Sequence, residues 1–211
     1  MHSVTTQPYV STTTSAAASP ARHSVWGTSI RYTILMTLIF GIGYPLLVTG
    51  IAGVLFPHRA AGSLILKNGQ VIGSELIAQS FTADKYFHPR PSAAGNGYDA
   101  ANSGGTYLGP TNQKLIDRVR TDAASLQQEN PGQPVPVDLI TTSASGLDPD
   151  ISPAAAEFQV PRVARARGLS ESTVRDLVQK HTRQRDLGLL GEPRVNVLEL
   201  NLALDEVGTK N

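Results

Sequence analysis

The chain contains no cysteine, and its first 74 residues contain no aspartate or glutamate. Without cysteine it forms no disulfide, no thiolate metal site and no cysteine nucleophile. Charged residues make up only 17% of the 211 residues, whereas a soluble domain usually has about 25%. This shortage indicates that part of the chain does not face water. The net charge of +1 is too small to favour a surface built to coat nucleic acid.

The missing acids divide the chain into two parts. All 17 acidic residues lie after residue 74, whereas the first 74 residues carry four basic ones, Arg22, Arg31, Arg59 and Lys67. Residues 1–29 are rich in serine, threonine and alanine and poor in large apolar residues. Such a segment buries too little surface to offset its ordering entropy. We therefore predict a disordered N-terminal tail over residues 1–29, and a short C-terminal tail over residues 207–211.

One long apolar run lies between the tail and the acidic part. No charged residue occurs from Tyr32 to Pro57. About 25 helical residues span about 37 Å, enough to cross a hydrocarbon core of about 30 Å. Gly50 and Gly53 offer a face on which another helix can approach closely, and Pro45 predicts a kink. We predict a retained transmembrane helix over residues 30–57, because Phe56-Pro57 makes a poor signal-peptide cleavage site.

The basic residues on either side of this helix are almost balanced. Arg22 and Arg31 precede it, and Arg59 and Lys67 follow it. Arg31 lies directly at the membrane edge, and the acidic part of the chain follows the helix. The positive-inside rule then favours a cytoplasmic N-terminus and an extracytoplasmic C-terminal domain.

Residues 60–206 are predicted to form one α+β domain. Asn68-Gly69 between apolar runs predicts a β-hairpin, and Ser152-Pro153, Gly168 and Ser170 indicate where two helices begin and end. Alternating leucines predict a half-buried strand. The complete set is a hairpin around residues 64–72, short strands over 135–140 and 198–204, a short helix at 76–81, and helices over 112–128, 153–167 and 171–181.

The segment Ala164–Arg175 has the pattern of a helix-turn-helix. Four arginines (Arg162, Arg165, Arg167 and Arg175) are available for phosphates, and Ser172 and Thr173 for base edges. Glu171 and Asp176, however, place acidic groups on the would-be recognition helix. A membrane-tethered DNA-binding regulator is therefore the alternative function.

Catalytic and metal-binding patterns are not found in the sequence. Asp138, Asp148 and Asp150 are candidate acids, bases or ligands, but Asp148-Pro149-Asp150 before Ser152-Pro153 is more simply a turn into a helix cap. The five histidines are scattered, and no P-loop or H-E-x-x-H motif occurs. Ser103-Gly104-Gly105 is a weak anion-binding pattern. We therefore expect no catalytic residue, no metal site and no tightly bound cofactor.

Several stretches in order resemble the KdpC family, the C subunit of the bacterial potassium-transporting P-type ATPase. The resemblance covers about residues 30–206, whereas the long N-terminal tail has no counterpart in the family. The matching stretches include Tyr44-Pro45, Gly62-Ser63-Leu64-Ile65, Tyr86-Phe87-His88-Pro89-Arg90-Pro91-Ser92, Ser103-Gly104-Gly105, Gly109-Pro110-Thr111-Asn112, Gly146-Leu147-Asp148-Pro149, Gln159-Val160-Pro161-Arg162-Val163-Ala164 and Gly191-Glu192-Pro193-Arg194-Val195-Asn196.

The resemblance implies a single-pass, non-catalytic accessory subunit of the bacterial inner membrane. Its implied partners are a channel-like K⁺-translocating subunit, a P-type ATPase subunit and a small helical subunit, in a complex that hydrolyses ATP to drive K⁺ inward. The family's C subunit is described as a catalytic chaperone that raises the ATP affinity of the ATPase subunit. Gln159 is the candidate nucleotide contact, in a ternary complex; a helix glutamine that satisfies nearby backbone groups is the alternative.

The implied topology conflicts with direct ATP contact, because ATP lies inside the cell and the domain is predicted to lie outside. A second possibility within the same family is a cap over the K⁺ entrance of the channel-like subunit. The aromatic, proline-rich loop over residues 86–112 would then dock on that subunit. Its candidate docking residues are Tyr86, Phe87, His88, Arg90 and Tyr107.

Overall fold

A computed structural model describes residues 25–208, which separate into two units, one ending at Leu55 and one beginning at Phe56. The first unit is a single helical rod. It consists of α1 (Val25–Met36), a π-helical turn (Thr37–Gly43) and α2 (Tyr44–Leu55). By length and composition Val25–Leu55 is the one candidate membrane span among the described residues. This fits the predicted single-pass anchor.

The anchor helix begins earlier than predicted. Residues 25–29, assigned to the disordered tail, are the first residues of α1, and the rest of that tail lies outside the described residues. The helix is not broken at Pro45. The helix instead widens into the π-helical turn just before Pro45, where the Tyr44 N–H donates to the Ile39 carbonyl five residues back. Proline has no N–H to offer the preceding turn, and a π-helical turn is one way in which a helix accommodates this loss.

The second unit combines helices with two small antiparallel sheets, which confirms the predicted α+β class. One sheet is the predicted hairpin of β1 and β2, in which Lys67 pairs with Gln70. The other has the order β3-β5-β4. The element bounds are α3 (Pro57–Ala60), β1 (Leu64–Lys67), β2 (Gln70–Ser74), α4 (Gln113–Glu129), β3 (Asp150–Ile151), α5 (Pro153–Arg167), α6 (Glu171–His181), β4 (Thr182–Arg183), β5 (Arg194–Asn196) and α7 (Val197–Gly208).

The helix ends predicted from capping residues are confirmed. The Ser152 side chain accepts a hydrogen bond from the Ala155 N–H, and the Ser170 side chain accepts one from the Thr173 N–H. Asn112 caps α4 in the same way. Gly168 ends α5 in the left-handed conformation, with φ 65°, as glycine commonly does after a helix. These caps orient α5 and α6 so that Val160, Val163 and Val174 are buried together in the core.

Three predicted elements are wrong. Residues 198–204 belong to α7 rather than to a strand, because the buried positions Val197, Leu200, Asn201 and Leu204 follow a helical period. The alternating leucines matched a strand only as long as Asn201 was assigned to the solvent face. Residues 137–139 form a 3₁₀ turn in place of a strand, and no helix occurs over residues 76–81. At the C-terminus, α7 includes residues 207 and 208 of the predicted tail, and residues 209–211 lie outside the described part.

Candidate functional site

Residues 86–92, called the clamped segment below, contain four of the five predicted docking residues. Two buried carboxamides hold it from adjacent helices. Asn201 of α7 accepts a hydrogen bond from the Phe87 N–H at 2.8 Å and donates to the Phe87 carbonyl at 2.9 Å. Gln159 of α5 pairs in the same way with His88, at 2.8 Å and 3.1 Å. Each carboxamide thus binds both backbone groups of one residue, as a neighbouring strand would.

The Gln159 carboxamide has no hydrogen-bonding capacity left for a ligand. Its oxygen accepts from the His88 N–H and from Arg162 Nη2 at 2.7 Å, and its nitrogen donates to the carbonyls of His88 and Ala155. An amide has two acceptor lone pairs and two donor hydrogens, so all four positions are used. The side chain is only 2% exposed. This geometry agrees with the alternative left open from the sequence, a helix glutamine that satisfies backbone groups.

Arg162 extends the same network to α4 and to the residues at the start of the clamped segment. Its Nε donates to Glu129 at 2.6 Å, and its Nη1 donates to the carbonyls of Asp84 and Tyr86 at 2.6 and 2.9 Å. Hydrogen bonds from an ionised guanidinium are stronger than neutral ones. Arg162 therefore ties α4 and α5 to the start of the clamped segment.

A cleft of about 420 Å³ lies beside this network. Arg162 and Glu129 line it with Gln159 and His88. Each of these four polar groups is already bound within the domain. Its remaining lining residues are Ser80, Phe81, Thr82, Pro89, Pro91, Tyr98, Asp122, Ser125, Leu126 and Leu139.

The predicted docking residues differ widely in exposure. Phe87 is fully buried in the core, so its side chain is not available on the surface of the folded domain. Arg90 bonds Asp148 at 3.0 Å and the carbonyls of Thr141 and Thr142. Its guanidinium thus joins the clamped segment to the segment before β3.

The two tyrosines among the docking residues lie in different settings. The half-buried Tyr86 ring lies about 5 Å from both the Lys85 ammonium and the Arg167 guanidinium. The Tyr86 hydroxyl donates to Asp205 at 3.2 Å. Tyr107, by contrast, is 88% exposed. Of the five predicted residues, Tyr107 alone presents most of its side chain to solvent.

The pKa of His88 lies below its ordinary value of 6.5, because burial and the nearby Arg162 charge both disfavour the imidazolium. The carboxylates of Glu129 and Asp84 and the Ala83 carbonyl oppose this shift. The unfolded chain therefore takes up a proton more readily than the folded chain. The contribution of His88 to stability is complete above about pH 6.5 and is lost as the pH falls through the lowered pKa.

We predict that the urea midpoint of the full-length chain in detergent falls between pH 7.5 and pH 5. His88→Gln should reduce this fall, because glutamine does not titrate while its amide can still donate to the Ala83 carbonyl that His88 Nε2 contacts at 3.3 Å. Equal pH dependence in the variant and the parent would contradict the assignment to His88.

The three candidate acids have structural partners. Asp138 accepts hydrogen bonds from the backbone and the hydroxyl of Ser152 at 2.7 and 3.2 Å. Asp148 accepts one from the Asp150 N–H, and Asp150 pairs with Arg194 at 3.2 Å. Burial raises the pKa of Asp150, with Arg194 opposing the shift. The helix cap at Ser152 is as predicted, but the segment before it is strand β3 (Asp150–Ile151) rather than a plain turn.

The helix-turn-helix pattern is correct as local structure, but three of its four arginines are engaged, whereas Arg165 is exposed. Arg162 is held in the clamp network described above. Arg167 bonds Asp205 and the carbonyls of Lys85 and Leu204, and Arg175 pairs with Glu157 at 2.7 Å. Arginines engaged in this way are not free to neutralise phosphates. This geometry gives the DNA-binding alternative no support.

Searches of known proteins agree on one family. The sequence profile described as "KdpC: K+-transporting ATPase, c chain" matches residues 26–206. The chain is 63% identical over 178 residues to the "Potassium-transporting ATPase KdpC subunit" of Koribacter versatilis, covering 84% of this chain and 92% of that protein. It is 61% identical over 189 residues to the protein of the same description from Rhodopseudomonas palustris, covering 84% and 95%. The chain therefore belongs to the KdpC family, the c chains of K⁺-transporting ATPases.

Proposed function

We propose that this chain is a single-pass, non-catalytic accessory subunit that assembles and stabilises a high-affinity, ATP-driven K⁺ uptake complex. Its partners are the channel-like K⁺-translocating subunit, the P-type ATPase subunit and the small helical subunit. The observation that carries the proposal is the family match over residues 26–206, which takes in all but the first residue of the apolar helix Val25–Leu55 and extends through the α+β domain. The proposed location is the bacterial inner membrane, with the N-terminus in the cytoplasm.

The contacts of the domain favour a scaffold that presents a preorganised surface. Gln159, Asn201, Arg162 and Arg90 use their polar atoms to hold the clamped segment. Holding a loop before it binds lowers the entropy that binding costs. The clamped segment is thus suited to support a docking surface of residues 86–112, to which Tyr86 and Tyr107 contribute exposed area.

The effect on ATP belongs to the assembled complex in this proposal. The chain acts as a catalytic chaperone when it holds the ATPase subunit in an arrangement that binds ATP well, without a hydrogen bond from Gln159 to the nucleotide. One observation and the proposed topology favour this route over direct contact in a ternary complex. The Gln159 carboxamide is saturated within the domain, and in the proposed orientation the domain would not meet cytoplasmic ATP.

Deletion of the gene tests the accessory function. In a strain without other high-affinity K⁺ uptake, the deletion should abolish growth at micromolar K⁺ while growth at millimolar K⁺ remains normal. A plasmid copy of the full-length chain should restore growth at micromolar K⁺. Undiminished growth of the deletion strain at micromolar K⁺ would refute the proposal.

A reporter fusion at the C-terminus tests the topology. Alkaline phosphatase fused after Asn211 should be active, and green fluorescent protein at the same position should be dark, because the first folds outside the cytoplasm and the second inside it. The opposite pattern would place the domain beside ATP and DNA. That result would restore direct nucleotide contact and DNA binding as candidate functions.

A further inference from the structure

Exposed apolar side chains in the second unit are concentrated in two hairpins. Among the described residues after Pro57, all the large apolar side chains that are exposed, apart from Tyr107 and Val137, lie in the hairpin of β1 and β2 with the turn after it, or in the loop between β4 and β5. The first group is Leu64, Leu66, Val71 and Leu76, and the second is Leu187, Leu189 and Leu190. Three leucines at one loop tip form the more compact of the two groups.

The loop between β4 and β5 is a formed structure that displays these leucines. Asp186 and Leu190 exchange backbone hydrogen bonds of 2.8 and 2.9 Å, and Arg185 pairs with Glu192 at 2.6 Å across the hairpin. Leu187 has φ 54°, a left-handed conformation that a leucine rarely adopts. Leu187 is 91% exposed and Leu189 81%. Residues 187–190 are called the leucine tip below.

The base of this hairpin is connected to the start of the domain. The chain enters α3 at Pro57, two residues after the anchor helix ends at Leu55. His58 of α3 contacts Glu75 at 3.1 Å, and Glu75 lies 3.8 Å from Arg183 at the base of the hairpin. A histidine–carboxylate contact and an ion pair, which share Glu75, therefore connect Arg183 at the base of the leucine tip with α3.

The charges around the tip favour a protein partner over lipid. Segments that lie in a membrane surface combine Lys or Arg that are free to meet lipid headgroups with leucine and aromatic residues. Here Arg183 pairs with Glu199, Arg185 with Glu192 and Arg194 with Asp150. The sequence from residue 184 to residue 193 contains no aromatic residue. Asp186, directly before the tip, adds a carboxylate and no basic group. An exposed apolar group beside paired arginines and carboxylates instead has the character of an interface core with a polar rim.

We propose that the leucine tip inserts into an apolar socket on another membrane subunit of the K⁺-transporting ATPase complex. This inference rests on the proposed function, since it names the surface through which the accessory subunit is held. It adds a docking element outside the loop over residues 86–112. The fixed backbone of the hairpin presents the leucines in one arrangement, so that they enter the socket without a disorder-to-order transition.

The absence of cysteine in the chain makes a direct test possible. Leu189→Cys and Leu190→Cys each introduce a single thiol at the tip, and Val137→Cys introduces one at an exposed apolar position elsewhere. The rate of labelling with a water-soluble maleimide is measured for each variant in nanodiscs of phosphatidylethanolamine and phosphatidylglycerol. Measurements are made on the chain alone and on the chain within the purified complex, and labelling of this chain is separated by gel mobility.

We expect labelling of both tip variants to be slowed about tenfold or more in the complex, because an interface core excludes water. Labelling of the chain alone should stay fast, and Val137→Cys should react equally in both states. Protection of the tip in the chain alone would assign it to lipid, and fast labelling in the complex would leave it in solvent. Either result overturns the inference, whereas the proposed function depends on the separate growth experiment.

Discussion

Replacing Gln159 by leucine is expected to lower the free energy of unfolding by about 3 kcal/mol. Leucine has a similar volume and is a good helix former, so neither a large cavity nor a loss of helix propensity is introduced. The substitution removes both bonds to His88 and the acceptor for Arg162 Nη2. A buried donor or acceptor that loses its partner costs about 1–3 kcal/mol. Both the N–H and the carbonyl of His88 lose their hydrogen-bond partner in this variant.

The loss is measured by urea unfolding of the full-length chain in detergent, followed by the near-ultraviolet circular dichroism of its tyrosines. Gln179→Leu is the matched control, because it replaces the same side chain by leucine at an exposed position of α6. Its free energy of unfolding should change by less than about 0.5 kcal/mol. A similar small change in Gln159→Leu would show that the carboxamide does not hold the clamped segment.

The same variant separates structural support from nucleotide contact. In the assembled complex, at a temperature where the variant remains folded, the KM for ATP should equal that of the parent complex. Indirect action through assembly predicts this result, since Gln159 has no free position for a phosphate or a base. A raised KM in a variant of undiminished stability would instead favour direct contact by Gln159.

Replacing Gly146 by alanine is expected to lower the free energy of unfolding by about 4 kcal/mol. Gly146 has φ 67°, and a Cβ there would lie 2.6 Å from the Gly104 carbonyl oxygen and 2.7 Å from the Ala94 nitrogen. The left-handed conformation costs a residue with a Cβ about 1–2 kcal/mol, and overpacking adds about 1–3 kcal/mol. Both close atoms belong to the backbone, so that no side-chain rotation relieves the clash.

Gly132→Ala is the control for the conformational part of this loss. Gly132 also has a positive φ, 82°, but a Cβ there meets no atom within 4 Å. Gly132→Ala should therefore lower the free energy of unfolding by about 1 kcal/mol in the same urea experiment. If both variants lost the same free energy of unfolding, the close approach of backbone atoms at Gly146 would not contribute to the destabilisation.

The contacts of Gly146 explain why its replacement should also affect assembly. The Ser92 hydroxyl donates to the Gly146 carbonyl at 2.6 Å and accepts from the Tyr98 N–H at 2.8 Å. The Gly104 N–H and the Ser103 hydroxyl both donate to the Ser145 carbonyl, at 2.8 and 3.0 Å, so that these two groups are bound to the residue before Gly146. Displacing residue 146 therefore disturbs the whole loop over residues 92–105, including the end of the clamped segment.

Features with a local cause were predictable from the sequence. The anchor follows from an uncharged run long enough to cross a bilayer. The hairpin at Asn68-Gly69 and the helix starts at Ser152 and Ser170 depend on the residue itself and on atoms within a few positions of it. The resemblance to the KdpC family also came from short stretches in their order, and the family comparison confirmed it.

The site depended on contacts between residues far apart in the chain. The alternating leucines predict that Asn201 faces solvent in a strand, because a polar residue among them normally faces water. Asn201 lies instead at a buried helical position, where its carboxamide is satisfied by Phe87, 114 residues away. A buried carboxamide in a helix is a signal for such a clamp, but its partner is recognisable only once the chain has folded.

The sequence by itself determined the anchor, the hairpin, the helix caps and the family, because each depends on local chemistry or on the order of short motifs. Tertiary structure alone decided that Phe87 is core, that Gln159 and Asn201 hold the backbone beside it, and that Leu187, Leu189 and Leu190 remain exposed. The physical reason is that burial and hydrogen-bond satisfaction are properties of the packed chain. The same glutamine or leucine serves a ligand, a core or an interface according to what the fold places beside it.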